Sequence, residues 1–136
     1  MIKTDNDLRS VKGKGTYSVL GFSRCNRYIG KELLPTNQIK ENSISSKRDL
    51  YIANIDILNK IRKENHIYLS KVDLENDLDE FLHDRLCTLL EVNNPVEYLQ
   101  EAKNYNMVEL IEKLSDADCR MIYNHYNFAC LKEVAE

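Results

Sequence analysis

The 136-residue chain has no tryptophan, only two prolines and only four glycines. It contains no run of about 18 or more apolar residues and no apolar N-terminal stretch of the signal-peptide kind, so neither a helical membrane span nor a secretory leader is expected. A cytoplasmic protein without a membrane partner is therefore expected. The four cysteines, Cys25, Cys87, Cys119 and Cys130, are widely separated, with no Cys-x-x-Cys pair and no histidine at zinc spacing. They are expected to be free and mostly buried thiols, Cys87 and Cys119 among them as small hydrophobes in helices. His66, His83 and His125 have no sequence partners at catalytic spacing, and the tyrosines are too scattered to form a base-stacking platform. Gly13-Lys14-Gly15 lacks the Gly-x-x-x-x-Gly-Lys-Ser/Thr spacing of a nucleotide-binding loop, so ATP hydrolysis is not expected of these residues. Neither internal repeats nor low-complexity tracts occur.

What the chain does have is acid at two strand ends. Asp5-Asn6-Asp7 follows Met1 to Thr4, and Asp73-Leu74-Glu75 follows Ile67 to Val72. In open α/β sheets ligands gather outside the carboxyl ends of strands, so acids from separate strands can converge there. Hard cations such as Mg²⁺ take oxygen ligands and need only one or two carboxylates beside water and phosphate. Each acid also has a structural alternative. Asp5 and Asp7 suit a turn that stops a strand, and Asp73 suits a helix N-cap with Glu75 favoured by the helix dipole.

Charge is unevenly spread. Residues 1–48 hold ten Lys/Arg against four Asp/Glu, and residues 49–136 hold nine against eighteen. The basic front half, including Arg9, Lys12, Lys14, Arg24 and Arg27, is the part suited to a polyanion, a solvated surface being the alternative.

Periodicity and turn chemistry predict a strand stub over 1–4, short beside the usual five or six residues, as though the chain began within a fold. A loop is expected over Arg9 to Gly15, then a helix from Thr16 to before Pro35, a polar mobile linker over about 35–46, and one helix from Ser45 or Ser46 to about Glu64. A strand over Ile67 to Val72 is expected to run parallel to the first. Helices then follow from Asp73, from Pro95, over Met107–Leu114 and Ser115–Tyr123, and from Phe128 to Ala135.

Several ordered blocks resemble one family: Ile2–Ser10, Ile67–Leu78, Asn94–Lys103, Asn106–Leu110 and Phe128–Glu133 are similar to the C-terminal Toprim region of the OLD-family ATP-dependent endonucleases, in the branch of the Gabija-type anti-phage nucleases. The resemblance implies an α/β fold class: a partial Toprim, Rossmann-like fold with a short parallel sheet, a truncated core over 1–92 and a helical part of the same domain over 93–136. It implies two-metal hydrolysis of DNA with Mg²⁺ or Mn²⁺. Asp5, Asp7, Asp73 and Glu75 are its metal-holding positions, with Asp5 the foremost ligand of its pair. Asp77 is assigned to an outer or solvent position. Lys103, otherwise an ordinary exposed helix residue, matches the lysine that holds the scissile phosphate, and Asp5, Asp73 and Lys103 are the implied catalytic set. Arg9, Lys12 and Lys14 are expected to touch DNA phosphates.

The family pattern also includes a glutamate on an earlier strand and an ATPase domain, neither found in these residues. One metal position is therefore expected to be incomplete, activity by itself impaired, and the uncovered sheet edge prone to self-association. Alternatives are a non-catalytic module docking on a full-length homologue or a helicase partner, and a small phosphatase built on Asp5 and Asp7.

Overall fold

A computed structural model describes residues 1–135 of the chain. They form two compact units, one ending at Asp73 and one beginning at Leu74.

In the first unit, β1 (Ile2–Thr4) pairs in parallel with β4 (Ile67–Leu69), Ile2 opposite Ile67 and Thr4 opposite Leu69. The parallel pairing agrees with expectation, and the strand after Asn65 is shorter than the predicted Ile67–Val72. The stretch from Arg9 to Ser18 corrects the reading. Instead of a loop leading into a helix, β2 (Arg9–Val11) and β3 (Thr16–Ser18) form an antiparallel hairpin, Arg9 opposite Ser18. Thr16 and Tyr17 favour extended backbone, and Gly13 and Gly15 take the left-handed conformations that turn the chain. Helix α1 therefore starts only at Leu20 and runs to Ile29 (Leu20–Ile29), stopped by Gly30, whose N–H bonds Asn26 O.

The predicted mobile linker is anchored at two points. The buried Asn26 amide donates to Leu34 O and accepts from Leu34 N, both at 2.9 Å, imitating a strand partner. Tyr17 and Ile39 exchange backbone hydrogen bonds of 2.8 and 3.0 Å. The single helix predicted up to Glu64 is two, α2 (Ile44–Ala53) and α3 (Ile55–Asn65), divided at Asn54, where the backbone leaves helical geometry (φ −120°, ψ 19°). The N-cap of α2 is Ser43, in a reciprocal capping box with Ser46. Val19, Phe22, Cys25, Leu34, Tyr51, Leu58, Ile61, Ile67, Leu69 and Val72 are the buried apolar residues of this unit.

The second unit is helical: α4 (Leu74–Leu90), α5 (Pro95–Glu101), α6 (Lys103–Lys113), α7 (Asp116–Asn124), a 3₁₀ turn (Tyr126–Phe128) and α8 (Cys130–Ala135). Leu78, Leu82, Leu86 and Leu90 recur every four residues along α4 and pack with Leu99, Leu110 and Phe128 in one core. Asn94 caps α5 with Pro95 at its first turn, and Ser115 caps α7 in a capping box with Asp118. Both starts follow the sequence prediction. The cysteines are free, as expected, but Cys119 is exposed and Cys87 half-buried, because α7 turns Cys119 away from the core that its apolar neighbours suggested.

Candidate functional site

The acidic turn Asp5-Asn6-Asp7 leaves the carboxyl end of β1 beside the segment that leaves the carboxyl end of β4. Two backbone bonds carry the pairing past the strands: Ser70 N–H donates to Thr4 O at 2.8 Å and Asn6 N–H donates to Val72 O at 3.0 Å. Asp5 and Asp73 are thus the immediate neighbours of the two residues that form the second bond. This second bond departs from the strand register: with Thr4 opposite Leu69, continued pairing would set the Asn6 N–H on Ser70 O, whereas it reaches Val72 O.

Asn6 is the residue that sequence reasoning missed. It is fully buried, and its Nδ2 donates to Lys71 O at 2.9 Å and to Lys47 O at 3.1 Å. With its backbone N–H on Val72 O, it grips two successive carbonyls of the chain that leads to Asp73. An Asn between two aspartates reads as a turn residue; no sequence signal shows that its amide is the inward member of the trio. Its chain neighbours differ in exposure, Asp5 being exposed and Asp7 half-exposed; Arg24 Nη2 donates to Asp7 Oδ2 at 3.0 Å.

Helix α1 lies against the same turn. Gly21 N–H donates to Asp7 O at 3.1 Å, and a Cβ at Gly21 would stand 2.7 Å from Asp5 O and 3.0 Å from Asn6 Cα. Only glycine allows this approach of helix to backbone. Arg24, read from sequence as one basic residue among several, is fixed by Asp7 and by Thr4, whose Oγ1 accepts from its Nη1 at 2.7 Å.

The other expected site residues divide between the units. Asp73, half-buried, closes the first; Glu75 lies in the first turn of α4, buried together with Asn76 and Asp77. Asp77 is 1 % exposed, which excludes the solvent position considered for it. Lys103 is exposed and is the first residue of α6, because the helix from Pro95 ends at Glu101 and Ala102 breaks it (φ −143°, ψ 71°). Arg9, Lys12 and Lys14 are exposed on the β2–β3 hairpin, Arg9 at its base and the lysines in its turn. Among the described residues no three His, Cys, Asp or Glu side chains are gathered closely enough to enclose a metal ion. Asp5 is exposed, Asp7 and Asp73 are half-exposed and Glu75 is buried, so what these positions could offer a divalent ion is partly open carboxylate oxygen rather than a closed protein cage.

The mixed α/β chain is homologous to the C-terminal part of an OLD-family nuclease of the Gabija type. The relative that shows this is the endonuclease GajA of Bacillus cereus (strain VD045), 41% identical over 145 aligned residues. The alignment takes in 98% of this chain and 25% of that protein, so the chain spans about a quarter of its relative's length. No protein-family profile matches the chain. No helix among the described residues is long and apolar enough to cross a membrane.

Proposed function

We propose that this chain supplies the Toprim-type metal acids and the phosphate-binding lysine of a Gabija-like DNA endonuclease. The observation that supports the reading is the Asn6–Val72 hydrogen bond, which joins the chain neighbours of Asp5 and Asp73 beyond β1 and β4 in a chain 41% identical to an endonuclease.

In this reading Asp5 and Asp73 are the principal carboxylates, with Asp7 and Glu75 completing the acid set. The bound Mg²⁺ or Mn²⁺ ions would activate water and stabilise the leaving oxygen of an in-line displacement at phosphorus. Lys103, exposed at the start of α6, holds the scissile phosphate and offsets the charge that grows on it. The hairpin cations Arg9, Lys12 and Lys14 contact backbone phosphates and set register on the duplex without reading sequence. These residues act as part of a longer enzyme, which contributes a further glutamate and the ATPase.

The test is a plasmid assay. Supercoiled DNA is incubated with the chain and Mg²⁺ or Mn²⁺ beside Asp5→Ala and Asp73→Ala proteins. Weak metal-dependent nicking, impaired for want of the further glutamate and abolished by both substitutions, is the expected result; nicking that survives both would remove these acids from the mechanism.

A second reading, a non-catalytic module docking on a homologue or helicase subunit, draws on one observation. Tyr105, Val108 and Ile111 stand exposed at helical spacing along α6. A folded chain that never nicks DNA yet forms a stable complex with a full-length homologue, lost in Ile111→Asp, would favour it.

A further inference from the structure

We propose that Arg24 is the positioning residue of the acidic turn: from α1 it fixes the Asp7 carboxylate for metal binding. The inference rests on the nuclease reading above and assigns a residue and an element that the reading leaves without a role.

The argument begins with distance. Because Gly21 has no side chain, α1 touches the backbone of Asp5-Asn6-Asp7, and the Gly21 N–H bonds Asp7 O at 3.1 Å. Residues three apart on a helix share a face, so this contact also delivers Arg24 to the turn. Its guanidinium spans the acidic trio, Nη1 on Thr4 Oγ1 at 2.7 Å before it and Nη2 on Asp7 Oδ2 at 3.0 Å at its end.

The fork thereby takes one oxygen of Asp7 and leaves Oδ1 to a cation, fixing the carboxylate's rotation before the ion arrives. A lysine could not do the same, since a single ammonium on a flexible stem has no planar pair of donors to bridge two fixed acceptors. The nearby positive charge opposes a divalent ion, and the Arg24–Asp7 pair, with side chains 26% and 47% exposed, is screened only in part; against this, the partner that orients a metal ligand commonly governs affinity by about 10–100-fold when removed. Orientation is the larger effect, and loss of Arg24 weakens metal binding.

The experiment titrates Mn²⁺ into the full chain, with free Mn²⁺ followed by electron paramagnetic resonance and without DNA, so that the readout is independent of turnover. Arg24→Ala is expected to weaken binding about tenfold, and Arg24→Lys, which keeps the charge, to restore little of it. Thermal melts establish that each protein is folded at the assay temperature; if Arg24→Ala is not, Arg24→Lys carries the test. The decisive comparison is in the Asp7→Asn background, where removing Arg24 should have no further effect, since it acts through Asp7. Unchanged or tighter Mn²⁺ binding by the folded Arg24 variants overturns the inference and leaves the nuclease reading standing. So does an equal loss in the Asp7→Asn background, which would mark a general structural role. Absence of saturable Mn²⁺ binding by the unaltered chain overturns both.

Discussion

Asn6 donates its backbone N–H to the carbonyl of Val72 at 3.0 Å, and the two aspartates of interest, Asp5 and Asp73, each adjoin one end of that bond. A buried, uncharged residue thus ties together the two segments that carry these exposed and half-exposed acids. The tie is made by the Asn6 backbone N–H and by its buried side-chain amide, which donates to Lys47 O and Lys71 O.

Asn6→Ala tests that account. The substitution removes the donor to Lys47 O and Lys71 O at a site with no access to water. Each hydrogen bond lost costs about 0.5–1.5 kcal/mol, and that loss should appear as a lower urea midpoint with an unchanged slope. Asn6→Asp should cost more, since a carboxylate would face two carbonyl oxygens.

Gly21→Ala should be disproportionately harmful for one methyl group. Its Cβ would meet backbone, which cannot rotate away, at 2.7 Å from Asp5 O. Helix propensity alone would make the change favourable by up to about 1 kcal/mol. A fall in melting temperature instead of a rise would locate the contact; a rise would show that α1 can shift away from the turn.

Asp118 makes stability depend on acid. Arg85 Nε donates to its Oδ1 and Oδ2 at 3.0 and 3.2 Å, and Ser115 N–H to Oδ2 at 2.9 Å. These bonds, Arg85 first, hold its carboxyl at about 2, below the usual 3.8. The native state therefore releases the proton more readily than the unfolded chain. Its contribution is fully present above the unfolded value and declines as pH falls toward about 2. Unfolding midpoints measured from about pH 5 to about pH 2 should converge between the unaltered chain and Asp118→Asn.

His83 works in the opposite direction. Asp79 Oδ1 lies 2.7 Å from its Nδ1, and that hydrogen bond raises the imidazole above its ordinary 6.5. The stabilisation is present below that ordinary value and is lost as pH rises through the folded one. Asp79→Asn should lower the midpoint of the His83 ring-proton shift in an NMR titration.

The thiols should separate by burial. Cys25 is fully buried and its thiol is pushed up to about 11 by that burial, whereas Cys119 is exposed. A disulfide reagent should give a fast phase that Cys119→Ser abolishes, and Cys25 should react only on unfolding.

Local signals along the chain determined a good deal: the repeating leucines of α4, the caps at Asn94 and Ser115, the strands that carry the two acidic pairs, and through several similar blocks the OLD-family relationship. Each depends on residues near one another in sequence or on side-chain period. Tertiary structure decided what depends on distant partners. Thr16 to Ser18 became strand by pairing with Arg9 to Val11, and the polar stretch after Leu33 was pinned through Asn26 and Tyr17. Asn6, Gly21 and Arg24 acquired their importance in the same way, because a buried amide, a missing Cβ and a guanidinium fork have consequences only once β1, β4 and α1 are packed together. The acidic pairs stand out in sequence because a cluster of charge after an apolar run is a local pattern. Their supports could not, because what holds a carboxylate in place is whatever the fold brings beside it.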